Sequence, residues 1–181
     1  LELLADPLPG RPGQAGTSWR TLGDGKIARN RNPTAVRRLS ETDAGVPSLA
    51  AAIDLDAYFR RIGYQGDRTP TLKVLQAVHL CHAQAIPFEN LDPLLGRAVQ
   101  LDPPSLERKL IHESRGGYCY EHNLLLRHAL EGLGFHVKGL AARVLWNRTD
   151  AAIPAGTHML LQVDVEGEDH LADVGFGGQT L

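Results

Sequence analysis

Three residues in separate stretches carry the chemistry this sequence could do: Cys119, His158 and Asp173. Cys119 stands in Arg115-Gly116-Gly117-Tyr118-Cys119-Tyr120-Glu121, ahead of Leu124, Leu125, Leu126, Ala129, Leu130 and Leu133, whose spacing predicts a helix. The glycine pair bends the backbone and the cysteine opens the helix. A thiol there faces unpaired N–H groups and the positive end of the helix dipole, both of which favour thiolate. Burial as a small apolar residue is the commoner fate of a lone cysteine. Two later residues shift that balance. His158 lies in Thr157-His158-Met159-Leu160-Leu161, and Asp173 in Ala172-Asp173-Val174-Gly175-Phe176-Gly177-Gly178. A nucleophilic thiol needs a base to take its proton and a carboxylate to hold that base in the right tautomer. Cysteine, histidine and aspartate in this order suit acyl transfer through an acyl-cysteine.

The elements that must position them follow from capping and periodicity. Asp54 predicts the N-cap of a helix through Ile62, with Gly63 closing it. Thr69-Pro70 predicts the start of a second helix through about Ala85, and Asp102-Pro103-Pro104 that of a third to about Glu113. The Cys119 helix is closed by Gly132 and Gly134. From Phe135 the pattern changes to alternation, predicting one or two strands as far as Trp146, with Gly139 as a bulge. His158 to Val165, a turn at Glu166-Gly167-Glu168 and Asp169 to Val174 predict a hairpin. On it His158 and Asp173 fall near the same end of adjacent strands, where their side chains can meet. Helices first and antiparallel strands second make an α+β protein. Cys81-His82 and the Cys119/His122 pair lack a second pair at zinc-ligand spacing, so no metal is expected.

Length and composition bound the rest. The 181 residues suit one ordinary domain or a domain with a tail, and a hydrophobic fraction of 43% can support a core. A net charge of −2 argues against a nucleic-acid partner, and no apolar run approaches the roughly 18 residues of a membrane span. Two cysteines and no visible signal peptide predict a reducing, cytoplasmic setting. Residues 1–52 show no sustained periodicity and read as a disordered or artefactual extension.

The R-G-G-x-C-x-E segment, the H-x-x-L strand and the D-x-G-x-G turn stand in a familiar order. Together with Pro87-Phe88-Glu89-Asn90-Leu91 and the opening Asp54-Leu55-Asp56-Ala57-Tyr58-Phe59, they make the sequence resemble the arylamine N-acetyltransferases. The resemblance runs from about Asp54 to the last residue. It implies a helical bundle over 53–134 carrying the nucleophile, then the first strands of an antiparallel β-barrel over 135–181 carrying His158 and Asp173. The arrangement implied is cysteine-proteinase-like, and the C-terminal α/β domain of the family is absent from this sequence, which reads as a fragment. The resemblance also implies acetyl-CoA as donor, with an arylamine, arylhydrazine or N-hydroxyarylamine as acceptor. By position, Phe88 and Phe176 match walls of the acceptor pocket, and Gly177 and Gly178 match the turn that CoA approaches. Glu89 matches a glutamate paired to Arg115, with Arg61 in the same network, a charge-assisted clamp on the nucleophile's loop. Other readings of the residues stay open: an amide synthase acting on a carrier-bound acyl chain, a hydrolase or transglutaminase-like enzyme, and an inert truncated product.

Overall fold

A computed structural model describes residues 2–7, 17–20, 53–144 and 156–177, the first two segments as backbone alone. Helix α1, Leu55–Ile62, starts where Asp54 Oδ1 accepts the Ala57 N–H at 3.0 Å and stops at Gly63, whose φ of 70° is left-handed. Helix α2, Leu72–Ala85, is capped by Thr71 rather than by the expected Thr69. The reason is local: Asp67 Oδ1 accepts from the Arg68 N–H and from both the N–H and hydroxyl of Thr69, which commits Thr69 to a turn. A short helix α3, Leu91–Leu94, follows the Pro87–Asn90 connection.

The third predicted helix is present in two pieces. Helix α4, Pro103–Leu106, has Asp102 accepting the Ser105 N–H, and the chain continues as a π-helical stretch, Glu107–His112. The wider turn lets adjacent Leu110 and Ile111 both enter the core while Lys109 faces the Cys119 helix. That helix, α5, runs Cys119–Gly132. It lies between α1, α2 and α4 on one side and the sheet on the other. Leu125, Leu126 and Leu130 are fully buried along it, each contributing about 1.5–3 kcal/mol of transfer free energy.

The sheet is antiparallel, in the order Thr17–Arg20 (β2), Glu2–Pro7 (β1), His136–Val144 (β3), His158–Val165 (β4) and Glu168–Ala172 (β5). Strand β3 is a single element, His136–Val144, and Gly139 pairs in regular register with Leu161, so no bulge forms there. Leu145 and Trp146 lie outside the described residues. Strands β4, His158–Val165, and β5, Glu168–Ala172, join through Glu166-Gly167, tighter by one residue than expected. Both turn residues have positive φ, 56° and 83°, the twist a two-residue hairpin requires. The extension also departs from expectation: Glu2–Pro7 (β1) and Thr17–Arg20 (β2) form a hairpin paired to the outer edge of β3. Edge pairing needs only backbone N–H and C=O groups, so side-chain alternation does not reveal it. Among the described residues, no helix is long and apolar enough to cross a membrane.

Candidate active site

Cys119 is the first residue of α5 and is buried. The segment before it is held by backbone contact with the Pro87–Glu89 connection. Phe88 and Gly117 form a parallel bridge, with the Glu89 N–H donating to the Gly117 carbonyl at 2.8 Å. The approach is so close that a Cβ on Gly116 would lie 2.0 Å from the Pro87 oxygen. Only glycine fits there.

A charge cluster fixes this segment from outside. Arg115 Nη2 donates to Glu89 Oε1 at 2.5 Å and to Asp92 Oδ2 at 3.0 Å, while the Gly116 N–H donates to Glu89 Oε2 at 3.3 Å. Lys109 Nζ reaches Asp92 Oδ2 and the buried Glu121 Oε1, both at 2.7 Å. Glu121 Oε2 accepts the Tyr118 N–H at 3.0 Å, satisfying a donor at the helix start. Burial opposes the charge on Lys109, but its two carboxylate bonds outweigh that and raise its pKa. Its hydrogen bond in turn holds Asp92 below the usual carboxylate range, with Arg115 adding to the effect. Arg61, expected in the same network, reaches this segment through backbone carbonyls. It donates to the carbonyls of Leu110 at 2.9 Å, Ala85 at 2.8 Å and Ser114 at 3.4 Å, bracing the backbone beside Arg115.

The β4–β5 hairpin brings the other two residues in. His158 Nε2 and Asp173 Oδ2 are 2.6 Å apart, and Cys119 Sγ lies 4.0 Å from the Thr157 carbonyl oxygen beside His158. Burial works against a charged His158, but hydrogen bonds with Asp173 and Cys119 overcome it and raise its pKa from 6.5 to about 9. With Nε2 on Asp173, Nδ1 is the ring nitrogen left for Cys119. Asp173 is itself well supplied with donors: Oδ1 accepts from Asn123 Nδ2 at 3.0 Å and from the Gly175 N–H at 2.9 Å. Burial pushes its pKa up, but His158, Asn123 and Gly175 together bring it below the ordinary value. A Cβ on Gly175 would come within 2.7 Å of Cys119 Cα, so that glycine lets the turn press against the Cys119 backbone.

Two positioning residues escaped the sequence reading. Asn123, one turn beyond Cys119, is fully buried and donates to both the Met159 carbonyl and Asp173 while accepting from the Val174 N–H. Its i+4 spacing from Cys119 was the available signal. His79 Nε2 donates to the Asp173 carbonyl at 2.9 Å from α2, a contact across 94 residues that no local pattern announces. Two aromatic rings lie beside this core. Phe176 stands edge-on to His158, with centroids 5.2 Å apart, and Phe88, 44% exposed, lies against Gly177. Gly178 lies outside the described residues. Among the described residues no cluster of three or more His, Cys, Asp or Glu is placed to hold a metal ion.

The pair His158/Asp173 sets a pH dependence of stability. A folded pKa of about 9 above an ordinary 6.5 means that the folded chain binds this proton more tightly. The stabilisation is therefore fully present below about 6.5 and is lost as pH rises through 9. Asp173, shifted down, adds stability above its ordinary value that is lost only in acid. Melting midpoints are expected to fall between pH 7 and 10, and the His158→Gln chain should lack that step. Parallel profiles for the two chains would count against the pairing.

Residues 71–181 match the N-acetyltransferase family. An arylamine N-acetyltransferase of Mycolicibacterium smegmatis is 54% identical over 134 residues, covering 72% of this chain and 49% of that protein. The arylamine N-acetyltransferase / N-hydroxyarylamine O-acetyltransferase of Salmonella typhimurium is 53% identical over 127 residues, covering 70% and 45%. The solved structure of the Mycobacterium marinum arylamine N-acetyltransferase in complex with CoA superposes with a TM-score of 0.66 at 49% identity, over 70% of this chain and 48% of that one. This chain thus spans about half the length of the curated relatives it matches. On the family match and these identities, the chain belongs to the arylamine N-acetyltransferase family.

Proposed function

We propose that the protein carrying this chain transfers an acetyl group from acetyl-CoA to an aromatic amine, hydrazine or hydroxylamine in two steps through Cys119. The observation that supports this most is His158 bonded at 2.6 Å to Asp173 with Cys119 as its other partner. Near neutral pH His158 is the imidazolium, so the sulfur beside it can act as thiolate. The thiolate attacks the thioester carbonyl. The carbon–sulfur bond to CoA then breaks, and the departing CoA thiolate takes the proton from His158. In the second step the amine nitrogen attacks acetyl-Cys119, the neutral imidazole takes the amine's proton, and Cys119 leaves as thiolate. Each tetrahedral intermediate carries an oxyanion, for which the Cys119 N–H is a natural donor, since the first N–H groups of a helix have no intrahelical acceptor.

The CoA complex of the M. marinum relative supports the donor, and the names of the relatives support the acceptor. Aromatic surface at Phe88 and Phe176 suits a flat ring. A weakly basic arylamine is neutral near pH 7 and attacks without a strong base. The charge cluster of Glu89, Arg115, Asp92, Lys109 and Glu121 acts on position, keeping the loop before Cys119 in one geometry. Mass spectrometry of the protein incubated with acetyl-CoA tests the reading. One acetyl group is expected on the Cys119 peptide, disappearing when an arylamine is added and appearing on the amine. No adduct at Cys119, or loss of the adduct to water at the same rate with and without amine, would overturn it.

A further inference from the structure

Behind the candidate site runs a buried chain of polar rings that the acyl-transfer chemistry does not use. Tyr58 Oη lies 2.8 Å from His82 Nδ1, His82 Nε2 lies 3.0 Å from His122 Nδ1, and His122 Nε2 lies 3.2 Å from the Pro87 carbonyl oxygen. All three rings are essentially inaccessible, at 0%, 0% and 1%. The chain has one consistent polarity. A carbonyl only accepts, so His122 Nε2 carries a proton and donates it. A neutral His122 then accepts at Nδ1, which makes His82 Nε2 the donor and leaves His82 Nδ1 to accept the Tyr58 hydroxyl. Burial favours the neutral forms throughout. It pushes His82 well below its usual range, with the neighbouring His122 adding to the effect, lowers His122, and raises Tyr58.

The far end of this chain is the Pro87–Phe88 connection. The Pro87 oxygen also accepts the Gly117 N–H at 3.3 Å, so it is gripped by α5 and by the loop that precedes it. The His122 ring lies parallel to the Phe88 ring, 6° off plane with centroids 6.4 Å apart, and Gly177 adjoins the same phenyl ring. His122 stands three residues after Cys119, on the same helix. A buried polar chain carries a desolvation cost that apolar side chains of equal volume would avoid, and its directional bonds specify one orientation.

We propose that His122 is a positioning residue for the acceptor side of the site, its Nε2–H holding the Pro87 carbonyl and its ring backing Phe88, while His82 and Tyr58 fix its orientation from behind. This rests on Phe88 being an acceptor wall, as proposed above. It assigns His122 to acceptor binding and leaves acylation of Cys119 to His158 and Asp173.

Two shorter amides separate the two ends of His122. In His122→Gln the side-chain NH2 reaches the Pro87 carbonyl, as Nε2 does. In His122→Asn the side chain stops near the Nδ1 position and retains only the bond to His82. The expected result is an arylamine KM within about threefold of wild type for His122→Gln and raised about tenfold or more for His122→Asn. Single-turnover acylation by acetyl-CoA alone should slow by less than about threefold in both. A merely structural role would move both half-reactions together and in step with the melting midpoint. Equal acceptor KM in the two variants, or acylation slowed as much as acceptor use, would overturn the proposal. An independent arm uses 15N-histidine and ring-proton spectra. In wild type, His82 and His122 are expected as neutral Nε2–H tautomers, and the Phe88 ring resonances should shift in His122→Asn and hold in His122→Gln. The opposite tautomer, or equal Phe88 shifts, would overturn it even where Cys119 carries no acetyl group, a result that would instead defeat the acetyl-transfer reading.

Discussion

Asp173→Asn is expected to slow acylation of Cys119 about 10⁴-fold, through a change of tautomer with the fold intact. The donors around the carboxylate dictate this. Asn123 Nδ2 and the Gly175 N–H both point at Oδ1, so the oxygen of the new amide must take that place. Its NH2 then replaces Oδ2, 2.6 Å from His158 Nε2. That nitrogen must now accept, which moves the imidazole proton to Nδ1, facing the sulfur. An N–H directed at Cys119 cannot take the thiol proton. The loss corresponds to about 5.5 kcal/mol of barrier at about 1.36 kcal/mol per decade. Rapid-quench acylation kinetics would read it, alongside a melting curve near that of wild type above about pH 9, where the His158 proton no longer contributes to stability. A variant acylated within tenfold of wild type would show that Asp173 does not hold the tautomer.

Gly116→Ala should cost more stability than any surface change in the chain. A Cβ at this position lies 2.0 Å from the Pro87 oxygen and 3.2 Å from Glu89 Cγ. The first of these is backbone, and it is held in place by the bridge between Phe88 and Gly117 and by the His122 contact. Neither side can yield without breaking the hydrogen bonds that join them. Overpacking of this kind costs about 3 kcal/mol, the upper end of the usual range. In a chain of this size that lowers the melting midpoint by on the order of 10 °C. Acylation should fall as well, because the displaced segment carries Cys119, and small misplacements of a nucleophile can cost about a hundredfold. An unchanged midpoint would mean that the two segments can separate freely, and that the glycine pair serves some purpose other than close approach.

Cys119 was legible because a glycine pair and a helical apolar period bracket it, and both signals are local. His158 and Asp173 were legible from strand alternation around a short turn, which also placed them on one hairpin. The Glu89–Arg115 contact came from resemblance alone, since nothing in Phe88-Glu89-Asn90 marks its carboxylate as paired. Lys109 was hidden by the π-helical stretch, which shifts the helical phase so that a lysine next to two core residues turns inward. His79, His82 and His122 each read as ordinary core or surface histidines. Their partners lie 94, 24 and 35 residues away, and the packing of α1, α5, the Pro87 connection and the β4–β5 hairpin around α2 brings them together. The strands at residues 2–7 and 17–20 escaped because they pair through backbone groups against an edge.

The tight turn at Glu166-Gly167 also bears on the order in which the site is assembled. His158 and Asp173 are 15 residues apart and meet through a hairpin, an element that closes in roughly 1–10 μs. The sulfur sits far upstream, and its pairing with the hairpin waits on a much longer loop. On a ribosome elongating at about 5–20 residues per second, Cys119 is synthesised some seconds before Asp173. During that interval the nascent chain exposes a thiol without its base. The base and its carboxylate, by contrast, are mated almost as soon as both exist. Pulse alkylation of stalled nascent chains would then find Cys119 open to reagent until the hairpin has emerged, and closed once it docks.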